Sequence, residues 1–148
     1  MKTRTLVAAL FLLITPVLAT SALAGLPAEP EDIRTGDDLG VACKALAEHD
    51  TSEAGDLAGK ACSGFLGSMV QKAYEATEAG KPTTFNRVGP EQDTTLCFSL
   101  PAKLSFVDFA KLLLTYRASH PELDDRPAYE TGAWTLATNF PCPEVKAP

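Results

Sequence analysis

The chain has 148 residues and a formal net charge of −6, with 13 basic and 19 acidic side chains. This length suits one ordinary domain that can bury its own core, and we find no internal repeat. A negative surface repels phosphate backbones, so the composition argues against nucleic-acid binding. The charge either keeps an exported protein in solution or suits a basic partner.

The first 24 residues have the three parts of a cleavable secretory signal peptide. Lys2 and Arg4 form a positive region, residues 6–18 form an apolar run, and residues 22–24 read Ala-Leu-Ala, a cleavage site of small residues. The run is too short for a membrane anchor, since a spanning helix needs about 20 apolar residues. Cleavage would leave 11 basic and 19 acidic residues, a formal charge of −8, and no membrane segment.

A Pro- and Glu-rich segment follows the signal, and we predict a flexible lead-in over residues 25–35. The first helix is expected to begin near Thr35 or Asp37. Apolar residues then recur at spacings of three and four, which predicts one buried helix face. The members of that face are Leu39, Ala42, Cys43 and Leu46.

The second helix has the clearest periodicity, with Asp56 as the expected N-cap and Gly80 as the C-terminal cap before Pro82. Gly64 and Gly67 lie inside it, and we expect each to allow the close approach of another helix. Its predicted inward residues are Cys62, Phe65, Leu66, Met69, Val70 and Ala73.

Residues 81–103 contain Pro82, the pair Gly89-Pro90 and Pro101, and show no sustained period, so we predict a long loop. No run in the chain shows the two-residue alternation of a half-buried strand. We therefore predict an all-α domain, a small bundle of about four main helices arranged in two hairpins.

The third helix is expected to open at Ser105, with Asp108 placed as in a capping box, and to end at His120-Pro121. Its predicted inward residues are Phe106, Phe109, Ala110, Leu113 and either Leu114 or Tyr116.

In the fourth helix Pro127 fits the first position, preceded by Asp125 or Arg126. Its predicted inward residues are Tyr129, Ala133, Leu136, Ala137 and Phe140, with Trp134 on the flank. Pro141 ends it, and residues 144–148 are predicted to be a tail.

Four cysteines in an exported chain predict two structural disulfides and an oxidising compartment. Cys43 and Cys62 lie nine and ten residues from the expected turn between the first two helices, so an antiparallel hairpin brings them level. Cys97 and Cys142 lie at similar distances from a second turn near Pro121. We therefore predict the pairs Cys43–Cys62 and Cys97–Cys142 out of three connectivities.

A search for catalytic or metal-binding residues yields no candidate. The cysteine spacing does not fit a metal motif, and His49 and His120 are far from any short ligand pattern. His120-Pro121-Glu122 has no second histidine for a zinc-protease motif and is better explained as a helix end. We predict no enzymatic activity and no cofactor.

Several segments, in order, resemble the Rap1a/Tai family of immunity proteins. They are residues 36–43, the stretch Cys62-Ser63-Gly64-Phe65-Leu66-Gly67, Leu96-Cys97-Phe98, residues 115–123 with Tyr116, His120, Pro121 and Glu122, and residues 139–143 with Phe140-Pro141-Cys142. The family shows a C-x-G-aromatic-aliphatic segment closed by a second glycine, a Y-x-x-x-H-P-E helix end and a terminal F-P-C. The resemblance covers residues 36–143.

The resemblance implies a small periplasmic all-α protein, in many cases a homodimer, that inhibits a peptidoglycan amidase effector of type VI secretion. Inhibition would be steric, through an exposed surface that blocks the cleft of the amidase. As the contact surface we predict the acidic turn with Glu122, Asp124 and Asp125, together with the loop at residues 81–95.

Two other functions fit the same composition. An acid-responsive periplasmic chaperone would expose apolar surface as its carboxylates become protonated. An accessory envelope protein would have no toxin partner at all. The gene beside this one distinguishes both from an immunity protein.

Overall fold

The computed structural model describes residues 25–79, 81–86 and 95–143. Its four α-helices are α1 (Gly36–Glu48), α2 (Glu53–Glu78), α3 (Phe106–Ala118) and α4 (Ala128–Asn139). Helix α1 packs against the other three, so it lies at the centre of the bundle. The expected signal peptide (residues 1–24) and tail (residues 144–148) lie outside the described residues.

Two short antiparallel strands lie between α2 and α3, so the prediction of a purely helical domain was wrong. Strand β1 (Thr83–Asn86) pairs with β2 (Thr95–Phe98), with Thr83 opposite Phe98 and Asn86 opposite Thr95. Both strands lie within the segment predicted to be a loop. Four residues give too few positions for a two-residue period to show in the sequence. Residues 87–94, which connect them, lie outside the described residues.

Helix α1 begins at Gly36, between the two expected starts, and Thr35 is its N-cap. The Thr35 side chain accepts a hydrogen bond from the Asp38 N–H, and the Asp38 carboxylate accepts one from the Thr35 N–H at 3.0 Å. Partial burial raises the pKa of Asp38, but hydrogen bonds from the backbone of Thr35 and Arg34 outweigh it and hold the pKa below its ordinary value. The ionised carboxylate is thus part of the cap.

Helix α2 begins at Glu53, three residues before the predicted cap at Asp56. The hydroxyl of Ser52 accepts a hydrogen bond from the Gly55 N–H at 3.1 Å. This bond satisfies one of the backbone donors that have no partner within the first turn of the helix. Asp56 instead pairs with Lys60 one turn on, at 2.6 Å. The expected C-terminal cap, Gly80, lies outside the described residues.

Helices α3 and α4 form a second pair, joined by residues 119–127. Ser105 caps α3 as predicted and accepts a hydrogen bond from the Asp108 N–H. Helix α3 ends at Ala118, two residues before the predicted stop, and Pro127 is the N-cap of α4 instead of its first residue. A short 3-10 helix (Pro121–Leu123) lies in the connection.

The core lies between the four helices and the inner face of β2. Most of the predicted inward residues are buried, and Trp134, Ala137 and Phe140 pack against the core from its edge as partly buried side chains. Phe106 and Tyr129 contradict the prediction, with exposed fractions of 39% and 38%. Each lies within the first two positions of its helix, where the apolar helix face extends beyond the residues of the core.

Residues 25–35, expected to be a flexible lead-in, carry defined structure in their second half. A 3-10 helix (Pro30–Asp32) is followed by Ile33, which is 5% exposed and belongs to the core. The Arg34 carbonyl accepts a hydrogen bond from the Ala128 N–H at 2.8 Å, and Thr35 forms a β-bridge with Pro127. The segment therefore joins the start of α1 to the start of α4.

Both predicted disulfides are present. Cys43 and Cys62 join α1 to α2, with their Cα atoms 5.1 Å apart. Cys97 and Cys142 join β2 to the segment after α4, with their Cα atoms 5.5 Å apart. Two disulfides indicate that the protein matures in an oxidising, exported environment.

Candidate interaction surface

The structure places the three predicted contact residues in one turn but in different surroundings. Glu122 and Asp125 are exposed, whereas Asp124 is half-buried beside the last turn of α3. The Arg117 Nε donates to Asp124 Oδ1 at 2.9 Å, and Arg117 Nη2 donates to the same oxygen. The Asp124 carboxylate is therefore engaged within the protein, and Glu122 and Asp125 are the acids left facing outward.

Arg117 connects α3 both to the turn that follows it and to the distant helix α1. Its Nη2 also donates to the Asp37 carboxylate of α1 at 3.1 Å, and its side chain is only 13% exposed. The guanidinium lies against Gly40, where an added Cβ would come within 1.1 Å of Nη1. A glycine at residue 40 thus provides the space in which this arginine binds both carboxylates.

The role of Arg117 was missed by the sequence reasoning. One signal was available, because a basic residue in the last turn of a helix followed by several acids predicts a local ion pair. Asp37 lies 80 residues before Arg117, and no local sequence pattern predicts that these two side chains pair.

The Tyr-x-x-x-His part of the helix end forms a compact local structure. The rings of Tyr116 and His120 stack with centroids 4.1 Å apart, and His120 Nδ1 lies 2.9 Å from the Tyr116 carbonyl oxygen. His120 therefore closes the exposed end of α3, in agreement with the interpretation of this motif as a helix end.

A groove of about 450 Å³ lies between the N-terminal 3-10 helix, α2 and α4. Phe65 and Tyr129 lie side by side in it, with ring centroids 4.7 Å apart. The Tyr129 hydroxyl is 2.8 Å from the Ser68 hydroxyl, and Lys72 Nζ lies over the Tyr129 ring at 5.8 Å from its centroid. These contacts hold the exposed Tyr129 ring in one orientation.

The opposite wall of this groove is formed by the N-terminal 3-10 helix. Pro30 lies against Gly64, where an added Cβ would lie 2.7 Å from the Pro30 Cγ, and the exposed Glu31 follows Pro30. Gly64 thus permits close packing, as predicted, although its neighbour is a 3-10 helix and not another α-helix. For Gly67, one turn on, the prediction of a close approach was wrong, because an added Cβ would make an ordinary contact of 3.5 Å with the Phe106 ring.

A second, more polar cleft of about 570 Å³ lies at the turn between α1 and α2. His49 ends α1 in the left-handed conformation, with φ 55°. Asp50 follows His49, and hydrogen bonds from the Ser52 N–H and hydroxyl lower the pKa of the Asp50 carboxyl. Within the described ranges, no group of three or more His, Cys, Asp or Glu side chains is arranged to hold a metal ion.

Comparison with known proteins gave no match, since no protein-family model, no curated protein and no solved structure matches the chain. Among the helices that the structure describes, none combines the length and apolar character needed to cross a bilayer.

Proposed function

We propose that this protein is a periplasmic immunity-type binding protein that inhibits a peptidoglycan amidase effector of type VI secretion by steric occlusion. The observation that carries this proposal is the ordered set of motifs over residues 36–143 that resembles the Rap1a/Tai family. The motifs run in family order through the glycine segment after Cys62, the helix end at His120 and the final Phe-Pro-Cys at residue 142.

The arrangement of the motif residues is consistent with inhibition by contact. Cys62 and Cys142 each belong to a disulfide, Gly64 packs under Pro30, and His120 closes α3. These residues hold surfaces in fixed positions, and a pre-organised surface loses little conformational entropy when it binds. A body of this kind inhibits an enzyme by covering its cleft and needs no chemistry of its own.

The proposal is tested with the chain from residue 25 onward, purified with both disulfides formed, and the cell-wall amidase encoded by the adjacent gene. We expect hydrolysis of peptidoglycan to fall to background at a one-to-one molar ratio, and an unrelated amidase to be unaffected. Full hydrolysis in the presence of excess protein would contradict the proposal. Sedimentation of the same sample tests the homodimer that the resemblance implies, which stays a prediction.

A further inference from the structure

Resting on the proposed function, we infer that the groove beside Tyr129 is the surface that receives the amidase. We call it the aromatic groove and define it by Pro30, Glu31, Gly64, Phe65, Ser68 and Tyr129. Its occupant is an extended segment of the amidase that presents an apolar side chain to the aromatic rings and a basic side chain to Glu31.

The apolar part of the groove has the features of an interface anchor. Tyr129 is 38% exposed and is held by Phe65 and Ser68, so its ring offers apolar area without further ordering. Tyrosines in such pockets carry a large share of binding energy at protein interfaces. A volume of about 450 Å³ accommodates an apolar side chain and its flanking backbone.

Charge determines which side chain of the partner lies at each end. Glu31 is exposed, and it makes no ion pair within the part of the chain that the structure describes. Lys72 already lies over Tyr129 at the other end and repels a second cation there. A basic residue of the partner is therefore directed to Glu31, in agreement with a mature chain of formal charge −8.

The acidic turn is the rival surface, and it is less available. Arg117 neutralises Asp124, the middle acid of the turn, and draws its carboxylate toward α1. The aromatic groove instead combines an acid without an internal partner with exposed aromatic surface.

Charge reversal separates the two surfaces. We would measure the dissociation constant of the amidase by calorimetry for Glu31→Lys, Glu122→Lys and Glu78→Lys. All three residues are exposed and each variant changes the net charge equally, so long-range attraction changes equally. Glu78 is the control, because it lies ten residues beyond Ser68 on α2, about 15 Å along the axis. We expect the dissociation constant of Glu31→Lys to be about tenfold higher than that of Glu78→Lys.

A second pair of variants tests the apolar anchor. Tyr129→Ala is expected to weaken binding about 30-fold or more, as for an interface hot spot. Phe106→Ala is its matched control, since Phe106 is 39% exposed and lies outside the groove, and we expect a change of less than about threefold there. Circular dichroism and thermal unfolding of both variants confirm that a loss of binding does not arise from a loss of fold.

Each outcome bears on the inference. If Glu31→Lys behaves like Glu78→Lys and Tyr129→Ala binds normally, the groove is overturned while the proposed function stands. If Glu122→Lys has the larger effect, the acidic turn is the contact and the groove is overturned. If the unaltered protein neither binds nor inhibits the amidase, the proposed function falls and the groove falls with it.

Discussion

The two disulfides join regions of very different packing. Cys43 and Cys62 are both 0% exposed and lie between α1 and α2, surrounded by the helical core. Cys97 and Cys142 are both half-buried and join β2 to the last described residues of the chain. There the Ser99 N–H donates to the Phe140 carbonyl at 2.9 Å, and the Cys142 N–H donates to the Cys97 carbonyl at 3.4 Å.

This difference separates two effects of a disulfide on stability. The inner pair fills space in the core, so its sulfur atoms contribute packing as well as a covalent link. The outer pair closes the longer loop, with a sequence separation of 45 against 19, and therefore restricts the unfolded chain more. If loop entropy dominates, the Cys97–Cys142 disulfide stabilises the protein more. If core packing dominates, the Cys43–Cys62 disulfide does.

Removing each disulfide decides between these rankings and has the largest expected effect. We expect the Cys43→Ala/Cys62→Ala variant to lose about 5 kcal/mol of unfolding free energy, because loop entropy of about 3 kcal/mol adds to lost packing. The Cys97→Ala/Cys142→Ala variant is expected to lose about 3 kcal/mol, since its chain end can fray locally. Urea denaturation measures both, and a larger loss for the outer pair would show that chain entropy dominates.

Two glycine substitutions sharpen the picture of the helical region, with an intermediate effect. Gly40→Ala places a Cβ where the Arg117 guanidinium lies, so we expect a loss of about 2 kcal/mol as the pairs with Asp37 and Asp124 are disturbed. Gly59→Ala is the control, because its Cβ would meet Leu46 at an ordinary 3.6 Å. Helix propensity predicts that this control gains about 0.5–1 kcal/mol.

Thermal unfolding of the two glycine variants gives the comparison directly. Equal destabilisation of both would indicate that an added methyl group is harmful at either position, and the explanation through Arg117 would be wrong.

Selective reduction tests the comparison without changing the sequence and has the smallest expected effect. Attack on a disulfide requires access to a sulfur atom, so we expect Cys97–Cys142 to be reduced about tenfold faster than Cys43–Cys62. Brief treatment with dithiothreitol, alkylation and peptide mapping give both rates. Simultaneous labelling of all four cysteines would mean that the domain opens as one unit before either bond is attacked.

Much of the helical region could be predicted because its signals are local. Ser105 was recognised as a helix start and the first helix was placed near Thr35 or Asp37, since a capping side chain bonds a backbone group three residues away. The start of α2 was placed four residues late, because Ser52 and Asp56 are both acceptable caps and only the packed structure selects between them.

The candidate surface could be predicted only in part. The acidic turn was found because its carboxylates are adjacent in the sequence, but the engagement of Asp124 by Arg117 was not. Tyr129 was assigned to the core because its spacing fits the stripe of α4. Periodicity reports which residues share a helix face, and it does not report where the neighbouring elements end.

The sequence by itself determined the helical hairpins and both cysteine pairings. Helix periodicity and turn positions fix which residues face each other across a hairpin. Only the tertiary structure decided the strand pair, the Arg117 cluster and the aromatic groove beside Tyr129. The four-residue strands are too short to show a period in the sequence, and the Arg117–Asp37 pair and the groove join residues far apart along the chain. Their contacts form when separate elements pack together, so short-range patterns in the sequence carry no record of them.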